Sequence, residues 1–155
     1  MLQKIISGGQ TGADRAALDA AQANHFPCGG CCPQNRRAED GPIDQSYPLT
    51  EIEGGYAERT EQNVIHSDGT VIFYDSEARG GTQLTIELCE THRKPFLKVD
   101  ITKKSSELAA SELSRFIETQ SIKELNIAGP RASECQQIYS YVEPVISDLL
   151  NRRSV

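Results

Sequence analysis

The eight residues Ser7-Gly8-Gly9-Gln10-Thr11-Gly12-Ala13-Asp14 constrain this chain most. They join an apolar run, Leu2 to Ile6, to an alanine-rich helical pattern through a turn with almost no side chains. Glycines let a backbone come close to a ligand. The first amides of the following helix, unpaired within it, present the positive end of the helix dipole. The turn reads as a cradle for an anion such as a phosphate, with Asp14 as either a ligand contact or a helix-start acid. Two later turns, Arg79-Gly80-Gly81-Thr82 and Ala128-Gly129-Pro130-Arg131, also separate a strand-like run from a helix-like one. In an open parallel sheet such corners gather at the carboxyl edge, so all three should line one crevice.

Composition narrows the options. At 155 residues the chain fits one domain, 1–155, with a real core. A formal net charge of -6 argues against general nucleic-acid binding, so any anion must be held by local donors. Arg15, Arg36, Arg37, Arg59, Arg79 and Arg131 sit beside the turns and suit bidentate recognition of phosphate or carboxylate. No apolar run approaches the roughly 20 residues of a membrane span, and no signal-peptide pattern opens the chain, so a cytoplasmic protein is expected. Five cysteines fit reduced thiols better than a disulfide framework. Cys28 and Cys31 form one C-x-x-C with no second pair to complete a zinc site, and His25, His66 and His92 share no ligand spacing, so no metal site is assigned.

Periodicity places the elements. Leu2 to Ile6 reads as a strand and Ala13 to about Asn24 as a helix. Residues 28–69 are too many for an idle loop and include a short helix from Tyr56 to Val64, presenting Arg59, Thr60 and Asn63 together. Thr70 to Tyr74 has the unbroken apolar character of a strand buried on both faces. A helix from Thr82, as N-cap, to His92 follows, then a strand at Phe96 to Val99. The next helix is capped by Ser105 or Ser106, and the last strand is Leu125 to Ala128. Ser133-Glu134-Cys135-Gln136 has capping-box spacing for a final helix, which Pro144 should kink or split. The alternation predicts a single Rossmann-like α/β domain, a mainly parallel sheet with helices on both faces.

The opening turn is not G-x-G-x-x-G and lacks the Lys-Ser/Thr of a P-loop, which disfavours an ordinary NAD site or an ATP or GTP hydrolase. A G-x-S-x-G elbow is absent.

Five segments in order, SGGQTGADRAALDAA, GGCCPQNRRAEDGPI with YPLTE, YAERTEQNVIHSDGT, GGTQLTIE and LNIAGPRAS, resemble the molybdenum carrier family, which includes molybdenum cofactor carrier proteins. That family belongs to a Rossmann-like superfamily shared with lysine-decarboxylase-like phosphoribohydrolases. The resemblance implies a non-catalytic, homo-oligomeric (dimeric or tetrameric) carrier. Its ligand would be molybdenum cofactor, a phosphate-bearing pterin, which it stores and protects, with molybdoenzymes or an insertase as delivery partners. Gly8, Gly9, Gln10, Thr11, Gly12 and Asp14, with Gly80, Gly81, Thr82 and Gly129, would then hold phosphate or oxoanion. Arg36, Arg37, Arg59 and Arg131 would complete the charge, and Asn63, Ser67 and Asp68 would address polar pterin edges. The chain departs from the family pattern at Cys31, where a tryptophan is frequent, and at Gln62, where another aromatic is common.

The alternatives are a nucleotide-sensing module and a nucleoside-monophosphate phosphoribohydrolase. The P-G-G-x-G-T-x-x-E motif of the hydrolase maps onto Gly80, Gly81 and Glu87, but Arg79 replaces its proline, and Gln83 and Leu84 its third glycine and threonine.

Overall fold

The computed structural model describes residues 1–153. β1 (Lys4–Ile6) leads through the first glycine turn into α1 (Ala13–Ala23), and the chain returns as β2 (Cys28–Gly29). Short strands follow, β3 (Cys31–Cys32), β4 (Arg37–Ala38), β5 (Gly41–Pro42) and β6 (Thr50–Glu51), then α2 (Tyr56–Ile65). The remainder alternates: β7 (Gly69–Tyr74), α3 (Gly80–Thr91), β8 (Phe96–Asp100), α4 (Ser106–Thr119), β9 (Glu124–Ala128) and α5 (Ile138–Arg153).

The main sheet has the order β2-β1-β9-β7-β8, with every pairing parallel. Counted from β7 to β9 and on through β1 and β2, that order becomes 2-1-3-4-5, the flavodoxin-like arrangement. The fold is therefore Rossmann-like, and its chain is a circular permutant of the doubly wound order. The winding reverses between β7 and β9, so the loops leaving those strands diverge and open a crevice at the carboxyl edge.

Packing follows from which face each residue meets. Val71 and Phe73 of β7 point to the side covered by α1, α4 and α5, whereas Ile72 points to the side of α2 and α3. Burial on both sides explains the continuous apolar run of β7. Helix α1 reaches the core mainly through alanines, Ala13, Ala16, Ala17, Ala20 and Ala21, all fully buried. Small side chains let it lie close to α5 without loss of helix propensity. Residues 31–49 build a separate small core from Cys32, Ala38 and Ile43, with Tyr47 and Leu49 against it.

Some boundaries differ from the sequence expectation. The edge strand β2 is too short and glycine-containing to register as a β run. Helix α3 begins at Gly80 with Arg79 as N-cap, because the amides of Thr82 and Gln83 both donate to Arg79 O; Thr82 is a buried helix residue rather than the cap. The Ser133 box does not start the last helix. Ser133 Oγ donates to Glu39 Oε2 at 2.6 Å, and α5 begins at Ile138. Pro144 lies inside one continuous helix, since Val142, Val145, Ile146 and Leu149 hold both of its halves in the core. Among the described residues no helix is long and apolar enough to cross a membrane.

Candidate functional site

A cleft of about 240 Å³ opens at the β7/β9 switch point, and residues of all three glycine corners line it. Gln10 and Asp14 come from the first, Gly80, Gly81 and Thr82 from the second, and Ala128 to Arg131 from the third. Tyr56, Arg59 and Thr60, on the first turns of α2, form the facing wall.

The corners contribute differently. In the first, most amides already have protein acceptors: Gly9 N donates to Ser7 Oγ (3.3 Å), Gln10 N to Asp14 Oδ2 (3.3 Å) and Thr11 N to Gln10 Oε1 (3.0 Å). Ala13 N donates to Pro130 O at 3.2 Å. Its glycines make room for the protein itself. A Cβ would lie 2.2 Å from Arg59 Nη1 at Gly8, 2.5 Å from Leu49 Cδ1 at Gly9 and 2.5 Å from Pro130 O at Gly12. This corner is a packing hub; Gly9, Thr11 and Gly12 lie outside the cleft lining, and Thr11 Oγ1 instead donates to Glu39.

The second corner is open. A Cβ on Gly80 or Gly81 would meet no atom within 4 Å, and among the described residues neither amide has a protein acceptor. Both amides stand at the start of the 12-residue helix α3, whose dipole favours an anion there.

Charge in the cleft is arranged in pairs. Arg59 Nη1 donates to Asp14 Oδ2 at 3.2 Å, with side chains 12% and 7% exposed. Burial pushes the Asp14 carboxyl above its ordinary range, against the opposing pull of Arg59, the Gln10 amide and Arg15. Arg59 Nε is buried without a hydrogen-bond partner, which leaves guanidinium capacity unused. Arg131 Nε lies 2.9 Å from Glu134 Oε1 and 3.6 Å from Glu39 Oε2, a charge contact without a directed hydrogen bond.

Several sequence candidates lie elsewhere. Arg36 donates to the carbonyls of Ile43, Asp44, Tyr47 and Leu49, so it organises its own loop. Arg37 is exposed, outside the lining, with its guanidinium 5.1 Å from the Tyr56 ring centre. Ser67 Oγ donates to Val64 O, and Asp68 Oδ2 accepts from the amides of Lys123 and Glu124. Both immediately precede β7, and residues before a parallel strand stand at the amino edge, away from the crevice. Asn63 grips Cys31 through both backbone groups, accepting from its N–H (2.7 Å) and donating to its carbonyl (2.9 Å). Asn63→Ala is therefore expected to cost about 1–3 kcal/mol in urea-monitored stability while leaving phosphate-ester affinity unchanged. Glu87, the carboxylate that the hydrolase motif requires, is exposed, accepts from Gln83 and does not line the cleft.

The sequence reading missed Tyr56 and Glu134 as lining residues. For Tyr56 a signal existed, since it precedes Arg59 by three positions on one helix and so shares its face.

Fold and site together define a Rossmann-like α/β protein with a cleft at its switch point and a permuted chain order. The chain belongs to the circularly permuted YpsA SLOG family, whose model matches residues 5–150. A crystal structure from Syntrophus aciditrophicus, described as a "Putative molybdenum carrier protein", is 43% identical to it, with a TM-score of 0.94 over 96% of this chain and 95% of the other. No curated protein matches at a significant level.

Proposed function

We propose that this protein is a non-catalytic carrier that binds molybdenum cofactor by its terminal phosphate, storing and protecting it. The observation that carries the reading is the open Gly80–Gly81 corner, with two free amides, a helix dipole and space where side chains would stand. Arg59 and Arg131 supply positive charge beside it. The donor set fits the phosphate and pterin of such a ligand. The cleft lining contains neither Cys nor His, so recognition rests on those parts while the cofactor's own dithiolene keeps the molybdenum. The 43% identical neighbour, with its molybdenum carrier description, supports the same ligand class.

A cleft of 240 Å³ is below the roughly 300–1,000 Å³ usual for a wholly enclosed small molecule. One protomer therefore holds the phosphate end and leaves the metal end at the rim. A homo-oligomer, dimeric or tetrameric and cytoplasmic, that passes the cofactor to molybdoenzymes or an insertase completes the proposal. Nucleotide sensing is the second reading, because the same corner suits a nucleoside monophosphate. Hydrolysis is disfavoured by the position of Glu87 outside the cleft lining.

Protein mixed with molybdenum cofactor and passed through gel filtration is expected to keep the pterin, seen by fluorescence after oxidation. Free pterin in the late fractions counts against carriage. Steady release of free base from a nucleoside monophosphate moves the case to a hydrolase.

A further inference from the structure

Glu39 and Asp40 form the tip of a hairpin whose arms are β4 and β5, with Arg37 opposite Pro42 and Ala38 opposite Gly41. Ala38 anchors this hairpin in the small core of residues 31–49, apart from the main core. Both tip carboxylates end on donors of the Rossmann body. Asp40 takes the Arg15 guanidinium, Oδ2 accepting from Nη1 at 3.0 Å and Oδ1 from Nη2 at 3.2 Å. Glu39 reaches the first and third corners. Its Oε1 accepts from the Ser133 amide (3.1 Å) and from Thr11 Oγ1, its Oε2 accepts from Ser133 Oγ (2.6 Å), and Arg131 Nε lies 3.6 Å from Oε2. Two hydroxyls, an amide and a guanidinium around one carboxylate are the donors with which proteins bind an oxyanion. Burial pushes this carboxyl up, but the hydrogen bonds from Ser133 and Thr11, with Arg131, outweigh it and hold Glu39 below the ordinary carboxylate range, ionised at neutral pH. Of these donors only Arg131 lines the cleft.

We propose that Glu39 is a built-in counter-anion, competing with the ligand's phosphate for Arg131 and so lowering the affinity of the cleft to a level that permits release. This rests on the proposed phosphate site and adds how its strength is set. Arg131 Nε already has Glu134 Oε1 at 2.9 Å, and Glu39 brings a second negative charge to the same nitrogen. Two carboxylates on one guanidinium leave that locality negative before any ligand arrives. An entering phosphate therefore gains less from Arg131 and meets the surplus charge. Support of the third corner needs only the hydrogen bonds of Glu39, and glutamine keeps them, because its carbonyl accepts and its amide donates to the Ser133 hydroxyl. Glu39→Gln removes the charge alone.

The test is calorimetric titration of the intact protein and its variants with inorganic phosphate, with circular dichroism to confirm folding. Glu39→Gln is expected to bind phosphate about three- to tenfold more tightly at low salt. That gain should shrink toward none at about 1 M salt, where charges are screened within about 3 Å. Glu118→Gln, which removes the same charge from the exposed surface of α4, should stay within about twofold of the unaltered protein. In an Arg131→Ala background Glu39→Gln should give no gain, since the competition acts through that arginine. A measurement on the unaltered protein does not depend on any variant folding: saturation with phosphate should move the carboxyl carbon resonance of Glu39. A folded Glu39→Gln with equal or weaker affinity, an equal gain in Glu118→Gln, a gain that survives Arg131→Ala, or a Glu39 resonance that phosphate leaves unmoved would each overturn the competition while the phosphate site stands. If neither the unaltered protein nor Glu39→Gln binds phosphate, both are overturned.

Discussion

Arg59→Ala is expected to lose about 3–5 kcal/mol of stability at neutral pH and to bind phosphate esters at least about tenfold more weakly. The stability loss arises because Arg59 and Asp14 form a pair almost shielded from water, 12% and 7% exposed, with 3.2 Å between Nη1 and Oδ2. Removing the cation leaves a carboxylate with the Gln10 amide as its nearest remaining donor. Burial already pushes the Asp14 carboxyl up, and Arg59 is the strongest influence holding it down, so the variant's carboxyl rises further. The direction with pH follows. A carboxyl whose folded pKa exceeds its unfolded value of about 3.9 favours the fold below that value, and this contribution is lost as pH rises through the folded pKa. The deficit of Arg59→Ala is therefore greatest near pH 7 and narrows toward pH 4. Urea unfolding at both ends of that range measures it. An Asp14→Ala/Arg59→Ala double variant should recover most of the stability, since no charge is left unpaired, but not the binding. Full stability in Arg59→Ala at pH 7 would show that the pair contributes little. Recovered binding in the double variant would show that the arginine acts only by holding Asp14.

The sheet was legible because its signals are local: β7 reads as a doubly buried strand from the run Thr70 to Tyr74, and α1 as a helix from its alanines. The convergence of the corners was legible too, since a parallel sheet puts every strand-to-helix corner on one edge. What each corner does was not. Glycine at positions 8, 9 and 12 and glycine at positions 80 and 81 look alike in sequence, yet the first group clears space for Arg59, Leu49 and Pro130 while the second faces open cleft. That distinction depends on residues about 40 to 120 positions away. The same holds for Arg36, whose four carbonyl partners exist only once the 43–49 loop has closed around it. Ser67 and Asp68 were different. Their place before a strand was visible, and it already assigned them to the wrong edge.

Gly81→Ala separates the open corner from the packed one. The added methyl meets no protein atom within 4 Å, so the fold has no steric reason to resist it. Within a helix, alanine gains up to about 1 kcal/mol over glycine, and the variant should melt at or slightly above the temperature of the unaltered protein. Its affinity should move the other way. The methyl occupies the space a phosphate must enter to reach the Gly80 and Gly81 amides, and loss of even one charge-assisted hydrogen bond, about 1.5–3 kcal/mol, weakens binding tenfold or more. Calorimetric titration with pterin monophosphate, beside a thermal melt, reads both quantities. Damage to packing lowers stability and binding together, whereas a side chain intruding on a ligand lowers binding alone. Unchanged affinity in a fully folded Gly81→Ala would place the anion away from the start of α3 and remove the support on which the carrier reading stands.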